Sequence, residues 1–217
     1  MSCYVALDGP DGCGKSTQAA ALVQWLDAEG AEVLHVREPG STPVGEALRS
    51  LLLSPDTGDL QPISEVLLFS AARAELMHRV VRPALTAGKI VVAERCFLST
   101  AVYQLLASER LALGGMDRRW FEDLTRRVHG DCLPDAIFVL DVSADVLARR
   151  RGRRGGQADR IEGRAEDYHR RVREGYLQAA DREPRAMVFD AGQPFDELQR
   201  ALRDQVGEIE MTRRSRS

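Results

Sequence analysis

A chain of 217 residues is long enough to bury one α/β core and short for two, and its 44% hydrophobic and 29% charged residues are those of an ordinary globular protein. A formal charge of −3 gives no bulk attraction to nucleic acid or to an anionic membrane, so any grip on phosphate must come from local positive clusters. No apolar run approaches the roughly 20 residues that span a bilayer, no basic-then-apolar leader opens the chain, and the four cysteines (Cys3, Cys13, Cys96, Cys132) show neither CxxC pairing nor metal-ligand spacing. Free thiols, a cytoplasmic location and no nucleic-acid or membrane partner are the expectations.

Along the chain, short β-rich runs at 4–7, 32–36, 90–93, 136–140 and 186–189 alternate with helical segments. The segments lie near 15–29, 43–53, 63–87, 98–107, 117–130, 143–151, 162–181 and 194–210. This alternation predicts βαβ units and a buried parallel sheet flanked by helices. Turn formers make 54–62 a loop. Glycine mixed with arginine makes 151–158 a basic, solvated loop. No repeat or linker divides the chain, so 1–210 reads as one domain with a frayed tail at 211–217.

The first strand leads into Gly9-Pro10-Asp11-Gly12-Cys13-Gly14-Lys15-Ser16-Thr17, a GxxxxGK[ST] match placed between a strand and a helix. Its glycines let successive backbone N–H groups turn toward one anion at a helix N-terminus. Lys15 supplies a point charge for the β- and γ-phosphates, and the Ser16 hydroxyl suits Mg²⁺ bridging them. The pattern specifies a nucleoside triphosphate. An Asn-Lys-x-Asp run, needed to read guanine in a GTPase, does not occur.

After the second and third strands come Arg37 and Arg95, at carboxyl ends where open α/β sheets bind ligands. Either guanidinium can fork onto a phosphate. Phe69 and Arg73 stand four apart on one helical face, and a ring with a planar donor fork can hold a pyrimidine. Further on, Arg149, Arg150, Arg151, Arg153 and Arg154 crowd a stretch without acids. They suit either a solvated helix end or a closing loop that stabilises phosphoryl transfer.

Taken together, the sequence resembles the bacterial thymidylate kinases. Besides the phosphate loop, the likeness rests on Arg37-Glu38-Pro39-Gly40, the run from Leu67 to Arg73, Arg95, Ser99-Thr100, Tyr103-Gln104 and Asp159-Arg160-Ile161-Glu162. The resemblance implies a three-layer α/β/α fold with five parallel strands, a lid at about 149–162 and a homodimer packed through helices. It implies γ-phosphoryl transfer from ATP, with Mg²⁺, to dTMP, giving dTDP and ADP. Arg37, Phe69, Arg73, Arg95, Thr100, Tyr103 and Gln104 would bind dTMP, Asp11 would lie near its sugar and phosphate, and the Glu38–Pro39 peptide would be cis. Because the phosphate loop has no arginine, Arg153 or Arg154 of the lid would be catalytic beside Lys15, Arg95 and Asp11.

Two sites depart from the family pattern: Glu94-Arg95-Cys96 replaces Asp-Arg-Tyr, and Asp8 replaces Glu. Asp8 and Glu94 are expected to compensate around one Mg²⁺ and water cluster with Ser16. Glu-Arg is also the deoxynucleoside kinase pattern, which leaves that class, another nucleoside monophosphate kinase, or a non-catalytic regulator as alternatives.

Overall fold

The computed structural model describes residues 2–107, 117–153, 160–161 and 166–214. Five strands, β1 (Cys3–Asp8), β2 (Val33–Arg37), β3 (Ile90–Glu94), β4 (Ala136–Asp141) and β5 (Ala186–Asp190), pair in parallel in the order β2-β3-β1-β4-β5. Parallel strands need crossovers that cover the sheet, which is why β1, at its centre, is buried over its whole length.

Helices α1 (Lys15–Ala28) and α9 (Phe195–Arg214) cover one face, where Leu22, Leu26, Leu198 and Leu202 meet Val5, Leu7, Val92 and Phe138. The other face carries α3 (Pro62–Leu76) and α8 (Glu166–Arg182), with Val66, Leu76, Val172 and Tyr176 against Ala6, Val91, Ala93 and Val139. Alternation along each strand therefore feeds two cores, one on either side. The remaining helices are α2 (Pro43–Leu53), α4 (Arg82–Thr86), α5 (Phe97–Thr100), α6 (Arg118–His129) and α7 (Ala144–Arg153). Thr42 caps α2, its hydroxyl accepting from Gly45 N at 2.9 Å, with Pro43 in the first turn.

Three segments differ from the sequence expectation in form. The helix expected at 63–87 widens into a π-helical segment, Met77–Val81, before α4. Pro83 has no N–H and its ring crowds the carbonyl four residues back, so the ladder shifts, with Arg82 N donating to Met77 O. A second π-helical segment, Ala101–Leu106, continues α5. The expected loop at 54–62 contains a 3₁₀ turn, Pro55–Thr57, capped by Ser54.

Helix α7 carries the basic run through Arg153, because alanine and arginine both favour helix. The rest of the expected basic loop lies outside the described residues. Helix α9 reaches Arg214, past the point where a frayed tail was expected.

Leu22 is fully buried between α1 and the sheet. Leu22→Ala is expected to lower unfolding free energy by about 2–5 kcal/mol, read from urea midpoints at an unchanged slope.

Candidate active site

The carboxyl ends of β1, β2 and β3 open on one cavity of about 420 Å³. Phosphate-loop residues Asp11, Gly12, Gly14, Lys15 and Ser16 line it. So do Phe69 and Arg73 from α3, and Thr100, Tyr103 and Gln104 from the α5 segment. Arg37, Glu94 and Arg95 complete the wall.

The phosphate loop is shaped by close approach. Gly9 has φ +138°, and a Cβ there would lie 2.5 Å from the Leu140 carbonyl oxygen. Lys15 folds back over the loop, Nζ donating to the carbonyls of Gly9 and Pro10 at 2.8 Å each. Cys13 is buried, with Sγ 3.7 Å from that ammonium, and Thr17 is exposed on the first turn of α1. Arg150 of α7 braces the loop from outside, donating to the carbonyls of Cys13 and Ala191 at 3.2 Å each.

Arg95 departs from β3 in the left-handed region, with φ +73°. For a residue with a Cβ that costs on the order of 1–3 kcal/mol and is typical of functional positions. Its guanidinium bonds Asp11, the Gly9 carbonyl and the Ser99 and Tyr176 hydroxyls, and stacks 5.2 Å from the Tyr103 ring centre. Asp11 also accepts from the Tyr103 hydroxyl at 2.7 Å. Burial alone would lift the Asp11 carboxyl, yet Arg95 and Lys15, helped by that hydroxyl, bring it down to about 2.

On α3, Arg73 is 4% exposed. Its Nε donates to Glu38 at 2.5 Å, and Nη2 donates to the Cys96 carbonyl at 3.1 Å and to Thr100 Oγ1 at 3.2 Å. The Glu38–Pro39 peptide that delivers Glu38 is cis, as the resemblance implied. Gln104 donates to Glu65 at 3.1 Å, and Glu65 accepts from Arg160 at 2.7 Å. Arg37 sits at the rim, paired with Glu46 at 3.0 Å. Arg49, paired with the Pro39 carbonyl at 3.0 Å, adds a second charge to the cavity wall.

The expected compensation of Asp8 and Glu94 around one cation does not occur. Asp8 is fully buried and bonded on the α8 side. One of its oxygens accepts from Gly9 N, Ser99 Oγ and Tyr176 OH at 2.6–2.9 Å, the other from Cys96 N and Ser99 N at 3.1–3.2 Å. With its lone pairs taken by these donors, Asp8 holds the backbone and emerges on the face opposite Ser16 and Glu94. Glu94 emerges on the α1 side, where Oε2 accepts the Ser16 hydroxyl and Oε1 lies 3.0 Å from His35 Nε2. Burial pushes the Glu94 carboxyl up, but His35, Ser16 and Lys15 outweigh it, leaving the group below its usual range.

Ser16 and Glu94 thus place hard oxygens together beside Lys15, a set that suits Mg²⁺ completed by phosphate oxygens and water rather than a closed cage. No cluster of three or more acidic, histidine or cysteine ligands occurs among the described residues. The side chain of Arg153, and all of Arg154, lie outside the described residues.

Sequence reading had assigned no role to Glu38, Arg49, Glu65, Ser99, Arg160 or Tyr176. Glu38, Ser99 and Arg160 fall inside quoted motifs, so their neighbourhood was visible. Tyr176 meets Asp8 across 168 positions of sequence, and no local signal carries that contact.

The family described as thymidylate kinase matches residues 7–202. A thymidylate kinase of Symbiobacterium thermophilum is 41% identical over 211 residues, covering 96% of this chain and 94% of that protein. One of Deinococcus radiodurans is 39% identical over 197 residues, covering 90% and 92%. The crystal structure of thymidylate kinase from Ehrlichia chaffeensis superposes with a TM-score of 0.74 at 27% identity, covering 95% of this chain and 98% of that one.

The lowered Asp11 carboxyl makes a pH prediction. A folded value of about 2 against 3.8 unfolded means the charged form is favoured by folding. It contributes about 2 kcal/mol above roughly pH 4, lost as pH falls through about 2. The stability difference between wild type and Asp11→Asn, from urea unfolding, should be constant from pH 7 to 5 and shrink from pH 4 to 3.

Proposed function

The chain belongs to the thymidylate kinase family, and we propose that it transfers the γ-phosphoryl group of ATP to dTMP, giving dTDP and ADP. The observation that carries this reading is that phosphate-loop groups and the Phe69 ring with the Arg73 guanidinium line one and the same cavity. A nucleoside triphosphate on Gly9–Thr17 would set its γ-phosphate toward an acceptor held between Phe69 and Arg73.

In this reading Lys15 exchanges the Gly9 and Pro10 carbonyls for the β- and γ-phosphates. Loop N–H groups, oriented by Gly12 and Gly14 at positive φ, receive the remaining phosphate oxygens. Arg95, held by Asp11 and Ser99, turns its donors to the acceptor phosphate, with Arg37 approaching from β2. Phe69 stacks on thymine. Nη1 of Arg73 makes no hydrogen bond among the described residues and is left for a base carbonyl. Tyr103, fixed by Asp11, packs where a 2′-hydroxyl would intrude, and Gln104, fixed by Glu65, closes the pocket.

Ser16 and Glu94 would hold Mg²⁺, which when bound neutralises charge on the transferring phosphates. Arg153 or Arg154 supplies positive charge to the transition state, an effect of about 10³–10⁵ in rate where it has been dissected in GTPases. The working form is a homodimer, for which Val44 and Leu51, a heptad apart on α2, and Leu67 on α3 offer half-exposed apolar surface. A cytoplasmic location belongs to the same proposal; no helix among the described residues is long and apolar enough to cross a membrane.

Lys15→Ala is expected to retain less than a tenth of kcat, because it removes a charge that meets phosphate. The acceptor assignment is tested by Phe69→Ala. Base–aromatic stacking is worth about 1–3 kcal/mol, so kcat/KM for dTMP should fall about 5- to 150-fold with KM for ATP unchanged. A coupled assay across dTMP, dUMP, dCMP, UMP and thymidine should rank dTMP first. Preference for thymidine would point instead to a deoxynucleoside kinase.

A further inference from the structure

His35 has no part in the chemistry above, and its position is set by strand geometry. Leu34 and Val36 of β2 pack into the core on the α3 side, whereas Val33 packs on the α1 side, so His35 shares the α1 face. The parallel register places His35 beside Val92 and Arg37 beside Glu94. Val92 packs on the α1 face, and Glu94, two residues on, emerges there as well. His35 Nε2 and Glu94 Oε1 meet at 3.0 Å, with Glu94 only 18% exposed. The other carboxylate oxygen accepts from Ser16. Each oxygen of Glu94 therefore has its own donor, and residues of β2, β3 and α1 form a line that ends beside Lys15.

We infer that His35 is a positioning residue for the divalent-cation site, holding Oε1 of Glu94 so that Oε2 stays directed at the Ser16 hydroxyl. The inference rests on the reading of Ser16 and Glu94 as the cation-facing pair. A glutamate side chain has three rotatable torsions, and Lys15 exerts a direct attraction on this one. Released from His35, the carboxylate would turn toward that ammonium, pairing the lysine needed for phosphate with the oxygen needed for the cation. A partner on the far oxygen prevents this, as outer partners orient ligating carboxylates elsewhere. The imidazole N–H donates whether the ring is neutral or charged, so the hold needs only a donor at that reach. Glutamine can supply one from position 35, and leucine cannot.

The test is Mn²⁺ binding to the full chain in the presence of ADP, read by electron paramagnetic resonance, with Mn²⁺ standing in for Mg²⁺. His35→Leu is expected to weaken Mn²⁺ about 10-fold or more, while His35→Gln stays close to wild type. Calorimetric dTMP affinity should be unchanged in both, since the base-binding groups stand on α3 and the α5 segment, and Arg37 and Arg95 are held by Glu46 and Asp11 and not by His35. In a Glu94→Gln background His35→Leu should add nothing. Unchanged Mn²⁺ affinity in His35→Leu, equal weakening by leucine and glutamine, or additivity with Glu94→Gln would each overturn the role. Ser16→Ala separates the two levels: if it leaves Mn²⁺ affinity intact, the cation placement itself is overturned.

Discussion

The Asp8 carboxylate sits where the central strand ends, the phosphate loop begins and the β3–α5 turn passes overhead. Fully buried, it accepts from Gly9 N at the entry to the loop, from the backbone of Cys96 and Ser99 beyond β3, and from Tyr176 on α8. A polar group is tolerated at such depth only when its lone pairs are satisfied by hydrogen bonds. Satisfying them fixes the relative positions of the loop that faces the donor phosphates, the turn that presents Arg95 and the helix that closes over both. Burial, and then the nearby carboxylate, push the Tyr176 phenol well above its ordinary value, so it remains an O–H donor to Asp8.

Around this clamp the charged groups come as opposed pairs, Arg95 with Asp11 and Arg73 with Glu38. A fully buried pair such as Arg73–Glu38 adds little net stability, because desolvation offsets much of the attraction, yet removing one member costs about 3–5 kcal/mol. Their use here is orientation. Arg73 is held by Glu38, Thr100 and the Cys96 carbonyl, so the direction of its fork is set by the protein alone. The same contacts make Arg73→Ala a poor probe of recognition alone, since it would strand the Glu38 carboxylate in the core.

The two departures from the family pattern separate onto opposite faces of the sheet. Cys96 is buried, its thiol 3.5 Å from Asp8, so a small side chain follows Arg95 where the clamp passes. Glu94 faces α1, and its length lets it touch Ser16 and His35 together. Each change is answered by its own neighbours.

By itself the sequence determined what local chemistry controls. The strand–loop–helix setting of Gly9–Thr17 required a phosphate cradle, and the alternation of short apolar runs with helical segments required a parallel sheet. The four-residue spacing of Phe69 and Arg73 put a ring and a donor fork on one helical face. The family motifs added the cis peptide before Pro39 and the residues proposed for the acceptor. Tertiary structure decided which lone pairs were already taken. Asp8 and Glu94 look interchangeable as carboxylates at strand ends, and only the face on which each emerges made one a backbone clamp and the other a neighbour of Ser16. Nothing in the spacing of Glu38, Tyr176 or His35 names a partner, because Arg73, Asp8 and Glu94 lie 35, 168 and 59 positions away and meet them only when the sheet is assembled.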